Sequence, residues 1–140
     1  LGLLAYAIQV PKQLHRAETT HFRMTIDGHV IEAEGVKLYV VNSGMMGKGV
    51  RIAHEFSVDD GYLDVFVLGR DALSIMAAET RILKMRESPL SRLKCWRGQS
   101  IQVECEPAKT IWTDGELHGK TPVSVAVVPG GLAVLAPAVK

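Results

Sequence analysis

Asp-Gly pairs interrupt the chain at three places, residues 27–28, 60–61 and 114–115. An Asp-Gly pair between alternating apolar and polar segments is a strong signal for a two-residue hairpin, because both residues tolerate the positive φ angles of that turn. Residues 22–26 alternate in this way before the first pair, and short strand-like segments flank the last one. The first and last pairs therefore predict hairpins, and with them a chain built mainly from β-strands.

The middle pair lies in a stretch that is more acidic than a turn requires. Residues 58–65 read VDDGYLDV, with carboxylates at Asp59, Asp60 and Asp64. These oxygens could bind a hard cation such as Mg²⁺ or Ca²⁺, which takes carboxylate, carbonyl and water ligands. The spacing is not that of an EF-hand, so the alternative is a solvated turn with one capping aspartate, and on spacing alone that alternative is favoured.

The last pair is followed directly by a further carboxylate, in the sequence TDGE at 113–116. A carboxylate one residue beyond a hairpin turn stands on a short, stiff support, which suits a general base that must reach a hydroxyl group. The alternative is that Asp114 is only the turn residue and Glu116 only a surface residue, and without further context this is favoured. The pair at 27–28 has no such acidic neighbour, so we interpret it as a structural turn.

Length, charge and composition describe a single globular domain. A chain of 140 residues can bury a sizeable core, and no apolar run is long enough to span a membrane. The formal net charge of +1 argues against a nucleic-acid partner bound through bulk electrostatics. Cys95 and Cys105 lack the spacing of a zinc or redox motif, so we expect reduced packing thiols. The five histidines match no metal motif.

The expected fold is mainly β, with helical additions that make it α+β. Apolar residues recur at helical spacing up to Pro11, which predicts a short N-terminal helix, and a second pattern from Asp71 to Pro89 predicts one central helix. A basic, irregular connector that includes Trp96 and Arg97 separates this helix from further short strands. Strands with about one central helix indicate a β-sandwich or open barrel.

Several segments, taken together and in order, resemble one protein family. They are NSGMMGKGVRIAHEFSVDDGYLDVFVL, then IWTDGEL, then the closing VPGGLAVLAP. This pattern resembles the C-terminal domain of bacterial soluble diacylglycerol kinases and YegS-like lipid kinases, which are relatives of sphingosine kinases. The resemblance covers residues 1–140 as a single substrate-side domain. It implies the β-sandwich domain of the NAD kinase/diacylglycerol kinase-like fold.

The resemblance also implies an activity and the residues that perform it. The activity is that of an ATP-dependent lipid kinase, a phosphotransferase of phospholipid biosynthesis that moves the terminal phosphate of ATP to a lipid hydroxyl, as in diacylglycerol. Glu116 matches the family's catalytic proton acceptor, and Asp114 matches its neighbour in the same turn. Asp60 matches the acidic ligand of a structural Mg²⁺ site that also uses main-chain oxygens, here of Ser57 and Tyr62. That site is distinct from the Mg²⁺ that accompanies ATP.

Two departures from the family pattern affect what this chain can do. The family's Gly-Gly-Asp-Gly-Thr nucleotide motif and N-terminal α/β domain are absent from this sequence, which does not begin with Met and looks like a piece of a longer protein. We therefore expect the isolated chain to be inactive, with ATP bound by the missing domain. In addition, the family's proline before the acidic turn is replaced near His54, which puts the shape of the metal loop in doubt.

The resemblance implies a cytoplasmic protein that associates peripherally with the membrane surface carrying its lipid substrate. The sequence does not identify the lipid acceptor or the lipid-pocket residues, and it leaves the oligomeric state open, a homodimer included. Two alternatives stand beside the lipid kinase, namely the C-terminal domain of an NAD kinase and a non-enzymatic lipid-binding β-sandwich. A carbohydrate-binding sandwich has less support, because two tryptophans offer few stacking platforms for sugars.

Overall fold

A computed structural model gives the fold, and it describes residues 18–43, 45–46, 50–51, 57–70 and 94–135. Within these ranges the chain forms the strands β1 Thr20–Ile26, β2 His29–Gly35, β3 Lys37–Val41, β4 Met45–Met46, β5 Val50–Arg51, β6 Leu63–Leu68, β7 Cys95–Gly98, β8 Ser100–Cys105, β9 Thr110–Thr113, β10 Glu116–Lys120 and β11 Val123–Ala126. The predicted helices, the one that ends at Pro11 and the one from Asp71 to Pro89, lie outside the described residues.

β1 and β2 form the hairpin predicted from the first Asp-Gly pair. Ile26 lies opposite His29, so the loop consists of residues 27–28 alone. Their φ angles are 47° and 84°, which are the positive values that a tight turn matched to strand twist requires. The prediction of a structural turn is therefore confirmed.

The carboxylate of Asp27 also ties this hairpin to the start of β8. It accepts the backbone N–H of Gln99 at 3.0 and 3.1 Å and that of Ser100 at 2.8 Å. The N–H of Asp27 in turn donates to the Ser100 carbonyl at 2.9 Å. β8 and β1 are neighbours in a four-stranded antiparallel sheet with the order β11-β8-β1-β2.

Three strands form the second sheet, in the antiparallel order β3-β6-β7. All six residues of β6 are buried, as expected for the nearly continuous apolar run at its end. The two sheets approach each other closely at Gly35, where an added Cβ would lie 2.8 Å from the carbonyl oxygen of Leu68. The N–H of Val36 donates to that same carbonyl at 2.7 Å.

The core lies between the two sheets. β1 and β8 each bury every second residue, so the alternation in their sequences marks one inward face. The inward residues meet those of β6 in one cluster, formed by Phe22, Met24, Ile26, Leu63, Val65, Val67, Ile101 and Val103. Two antiparallel sheets packed face to face confirm the prediction of a mainly β, sandwich-like domain.

Two short hairpins complete the described strands. β4 pairs with β5, and β9 pairs with β10 with a register irregularity between Leu117 and Gly119. No helix in the described part of the chain has the length and hydropathy of a membrane-spanning segment.

The strand β7 corrects the sequence interpretation. Trp96 and Arg97, which were predicted to lie in an irregular connector, are part of β7 and pair with Val65 and Asp64 of β6. The strand has only four residues, so its alternation is too short to be recognised against the basic residues that precede it.

Candidate functional site

The acidic turn, residues 57–62, leads directly into β6. Oδ1 of Asp60 accepts the backbone N–H of Tyr62 at 2.9 Å, a local closure that aspartate provides in many turns. Gly61 has a φ of 76°, which suits glycine at this bend. The Ser57 hydroxyl and Oδ1 of Asp59 are hydrogen-bonded as well. The turn thus has one aspartate that shapes it, as the structural interpretation predicts.

Asp64, the second residue of β6, is paired with an arginine. Its side chain is 4% exposed, and its Oδ1 accepts the Nε–H of Arg97 at 3.0 Å from the facing position on β7. The hydrogen bond to Asp64 raises the pKa of Arg97, with smaller contributions from the Asp64 and Asp60 charges. A buried carboxylate of this kind requires such a partner, because removing a charge from water is costly.

The same arginine reaches the acidic turn. Its Nη2 lies 3.4 Å from Oδ2 of Asp60, and its guanidinium lies 5.8 Å from the centroid of the Tyr62 ring. Two amides also hold the turn, since the side chain of Gln99 donates to the Gly61 carbonyl at 3.3 Å and that of Asn42 to the Val58 carbonyl at 3.4 Å.

Arg97, Gln99 and Asn42 are the residues of this site that the sequence analysis did not assign. Arg97 is 33 residues from Asp64 in the chain, and Gln99 is 38 from Gly61. Local patterns carry no information at such separations. The only sequence signal for the contact between Arg97 and the acidic turn was the basic character of the segment that contains Arg97.

The three predicted metal-binding residues, Ser57, Asp60 and Tyr62, lie on this one turn. The implied Mg²⁺ fits the donor chemistry, because a carboxylate together with main-chain oxygens is the ligand set that a hard cation prefers. The Nη2 of Arg97 lies 3.4 Å from Oδ2 of Asp60, which is longer than an ordinary charge-assisted hydrogen bond. The part of the chain that the structure describes contains no group of three or more His, Cys, Asp or Glu residues arranged around a metal position.

The predicted catalytic residues lie on the hairpin of β9 and β10. Thr113 lies opposite Glu116, so the loop consists of Asp114 and Gly115, with φ angles of 50° and 92°. Both carboxylate residues are exposed. Neither carboxylate has a hydrogen bond or an ion pair to another described residue, so Glu116 stands on a rigid turn with its oxygens available.

An apolar pair lies beside this turn. Trp112 and Leu117 face each other across the hairpin, and they are 65% and 66% exposed. Side chains of this size are usually buried, so their joint exposure marks a surface suited to apolar contact. No hydrogen bond or ion pair between described residues joins this hairpin to the acidic turn.

A cavity of about 430 Å³ lies elsewhere, lined by residues of β1, β2, β6 and the start of β7, namely His21, Glu32, Ala33, Glu34, Val67, Lys94 and Trp96. It contains none of the predicted site residues. The two cysteines are free thiols, as expected, but Cys95 is exposed and Cys105 half-buried, so neither is a fully packed core residue. Partial burial, with the nearby Asp64 charge, raises the pKa of Cys95.

Known proteins are similar to this chain in sequence and fold. Residues 1–136 match the family model described as the YegS C-terminal NAD kinase beta sandwich-like domain. A Staphylococcus aureus (strain JH9) protein, provisionally named a lipid kinase, is 26% identical over 140 residues, which is 96% of this chain and 45% of that protein. The same alignment figures hold for a protein of strain Newman that bears the same provisional name.

Solved structures agree with the sequence matches. The crystal structure of a diacylglycerol kinase from Bacillus anthracis str. Sterne superposes with a TM-score of 0.64 at 27% identity, covering 90% of this chain and 45% of that one. A second crystal structure from the same strain, provisionally named a diacylglycerol kinase, has a TM-score of 0.65 over 87% of this chain and 43% of that one. The chain spans less than half the length of these relatives. It belongs to the family of YegS C-terminal NAD kinase beta sandwich-like domains.

Proposed function

We propose that this chain is the substrate-side, C-terminal domain of an ATP-dependent lipid kinase that phosphorylates a lipid hydroxyl, as in diacylglycerol. The turn of Asp114, Gly115 and Glu116 carries the proposal, since it presents on a tight hairpin a carboxylate that no other described residue hydrogen-bonds or pairs with. Family membership and the kinase names of the relatives support it.

In the proposed reaction Glu116 is the general base. Its carboxylate accepts the proton of the lipid hydroxyl as the hydroxyl oxygen forms a bond to the terminal phosphorus of ATP. The bond from that phosphorus to the bridging oxygen breaks, and ADP leaves with the electron pair. A positioned base of this kind contributes roughly 10²- to 10⁴-fold to the rate. Asp114 sets the turn that holds Glu116, since its φ of 50° is part of the loop geometry.

The exposed pair of Trp112 and Leu117 supports a lipid as the acceptor. It lies on the hairpin that carries Glu116, on the opposite face from the proposed base because successive strand side chains alternate, and it offers apolar surface for contact with a lipid. The rings of a dinucleotide can also stack on a tryptophan, so the choice of a lipid kinase over the C-terminal domain of an NAD kinase rests on the lipid and diacylglycerol kinase names of the relatives.

The acidic turn supplies the second proposed function. Asp60, with main-chain oxygens of Ser57 and Tyr62, would hold a structural Mg²⁺, and the cation would neutralise the turn and fix its shape. A second Mg²⁺ would travel with ATP, bound by the part of the protein that this chain does not include. The setting we propose is the cytoplasm, with peripheral membrane association and a homodimer as one candidate assembly.

Transfer of labelled phosphate from ATP to diacylglycerol in mixed micelles tests the proposal. The full-length protein should label the lipid, and the isolated 140-residue chain should not. NAD offered in place of the lipid tests the NAD kinase alternative. Lipid binding without any transfer by the full-length protein would support a non-enzymatic lipid-binding module instead.

A further inference from the structure

The positively charged side chain of Arg97 contacts the acidic turn. Its guanidinium contacts the carboxylates of Asp64 and Asp60 and lies beside the Tyr62 ring. We propose that Arg97 is a positioning residue that competes with a divalent cation for the Asp60 carboxylate and holds the turn in place when the cation is absent. This inference rests on the Mg²⁺ site of the proposed function.

The two carboxylate contacts of Arg97 are unequal. The contact with Asp64 is a 3.0 Å hydrogen bond to a side chain that is 4% exposed, between residues that face each other on β6 and β7. The contact with Asp60 is 3.4 Å long, and the Asp60 side chain is 23% exposed. Arg97 is therefore anchored on Asp64 and reaches Asp60 weakly, so a cation can take Asp60 while the anchor remains.

The remaining contacts of the turn do not depend on Arg97. Oδ1 of Asp60 is held by the N–H of Tyr62, and the Gly61 carbonyl is held by the side chain of Gln99. An exchange of Arg97 for a cation would thus change the partner of Oδ2 without reorienting the turn. Both partners are positive and use the same oxygen, so they exclude each other there.

A charge-neutral double variant separates this competition from general electrostatics. Asp64→Asn with Arg97→Gln removes one charge of each sign, so the net charge near the turn is unchanged. It also leaves no unpaired buried charge, and the two amides can still hydrogen-bond across β6 and β7. Calorimetric titration of the full-length protein with MgCl₂, without ATP or lipid, should give affinity about fivefold or more tighter than wild type.

Three further variants complete the test. Arg97→Lys keeps the charge and the Asp64 contact but loses the second arm of the guanidinium, so the affinity for Mg²⁺ should also rise. Arg23→Gln removes an exposed charge from β1, away from the turn, and should leave the affinity unchanged. Asp60→Asn should abolish binding in either background.

The inference is overturned if the double variant binds Mg²⁺ no tighter than wild type, if none of these proteins binds Mg²⁺, or if Asp60→Asn retains the binding. Because no ATP or lipid is present, failure here is distinct from failure of the proposed function. A protein that shows the predicted order of affinities and yet transfers no phosphate keeps this inference and overturns the lipid kinase.

Discussion

Asp64 and Arg97 face each other directly on β6 and β7, and the Nε of Arg97 lies 3.0 Å from Oδ1 of Asp64. The carboxylate is buried, whereas the arginine side chain is 41% exposed. The pair therefore brings a charge into the second sheet and at the same time directs a guanidinium at the acidic turn. The contact therefore affects both the stability of the fold and the geometry of the acidic turn.

Removing the arginine should destabilise the fold. Arg97→Met leaves the buried Asp64 carboxylate without its partner, which we expect to lower the free energy of unfolding by about 1–3 kcal/mol, less than for a fully buried pair because Arg97 is partly solvated. Urea denaturation measures the change. The double variant Asp64→Asn with Arg97→Gln should recover part of the loss, and an unchanged midpoint for Arg97→Met would show that the pair contributes little.

Two aspartates in equivalent turns should respond differently to alanine. Asp27 has a positive φ and accepts backbone N–H groups of Gln99 and Ser100, whereas Asp114 has the positive φ but no side-chain hydrogen bond to another described side chain or backbone group. Asp27→Ala should therefore cost about 2–4 kcal/mol and Asp114→Ala about 1 kcal/mol of unfolding free energy.

Asp27→Asn is the matched control for the first of these variants, because asparagine tolerates a positive φ and retains one acceptor oxygen. It should lose less stability than Asp27→Ala in thermal or urea unfolding. Equal losses for Asp27→Ala and Asp114→Ala would contradict a role of Asp27 in joining the first hairpin to β8.

The close approach of the two sheets should make Gly35 intolerant of a methyl group. A Cβ there would lie 2.8 Å from the Leu68 carbonyl oxygen and would meet the Val67 side chain. Gly35→Ala should therefore lower the unfolding free energy by about 1–3 kcal/mol. Gly69→Ala is the control, because a Cβ at Gly69 meets no atom of the described residues within 4 Å, and its loss should be much smaller. Similar losses at both positions would refute this packing.

The raised pKa of the Cys95 thiol predicts that the stability of the folded protein depends on pH. Its pKa is raised from 9.0 in the folded protein, by partial burial first and by the Asp64 charge second. A raised folded pKa contributes stability that is fully present below the unfolded value and is lost as pH rises through the folded one. Relative to Cys95→Ser, the wild-type protein should therefore lose stability above about pH 9.

Alkylation provides an independent measure of the same thiol. At pH 9.0, the ordinary pKa of this thiol, Cys95 should react with iodoacetamide more slowly in the folded protein than in the urea-unfolded protein. A folded rate equal to the unfolded rate, followed at this residue by mass spectrometry, would contradict the raised pKa.

The sequence predicts those parts of the structure that local patterns determine. The hairpins at Asp27 and Asp114 follow from adjacent residues with positive φ, and the buried faces of β1 and β8 follow from strict alternation. The pairing of Asp64 with Arg97 could not be predicted, because strand register between residues 33 positions apart is set by tertiary packing. The strand β7 was missed because its four residues are too few to show a recognisable alternation.

The features of the candidate site also differ in how far the sequence predicts them. The position of Glu116 on a hairpin follows from the Asp-Gly pair before it, but its proposed role as a base came from the family resemblance and not from any local geometry. The crowded carboxylates marked the acidic turn, and its proposed Mg²⁺ site also came from the resemblance, whereas the contact of Arg97 with the turn became visible only in the fold. Arg97 contacts Asp60 of this turn from a distant position in the chain.

The most direct test of the central claim is the turnover of Glu116→Gln in the full-length protein, with labelled ATP and diacylglycerol in mixed micelles. Glutamine keeps the shape of the side chain but cannot accept the proton, so lipid phosphorylation should fall by roughly 10²-fold or more. The melting temperature should be unchanged because Glu116 is exposed, and Glu104→Gln on the exposed side of β8 should keep full activity. Wild-type turnover in Glu116→Gln would contradict the assignment of Glu116 as the base.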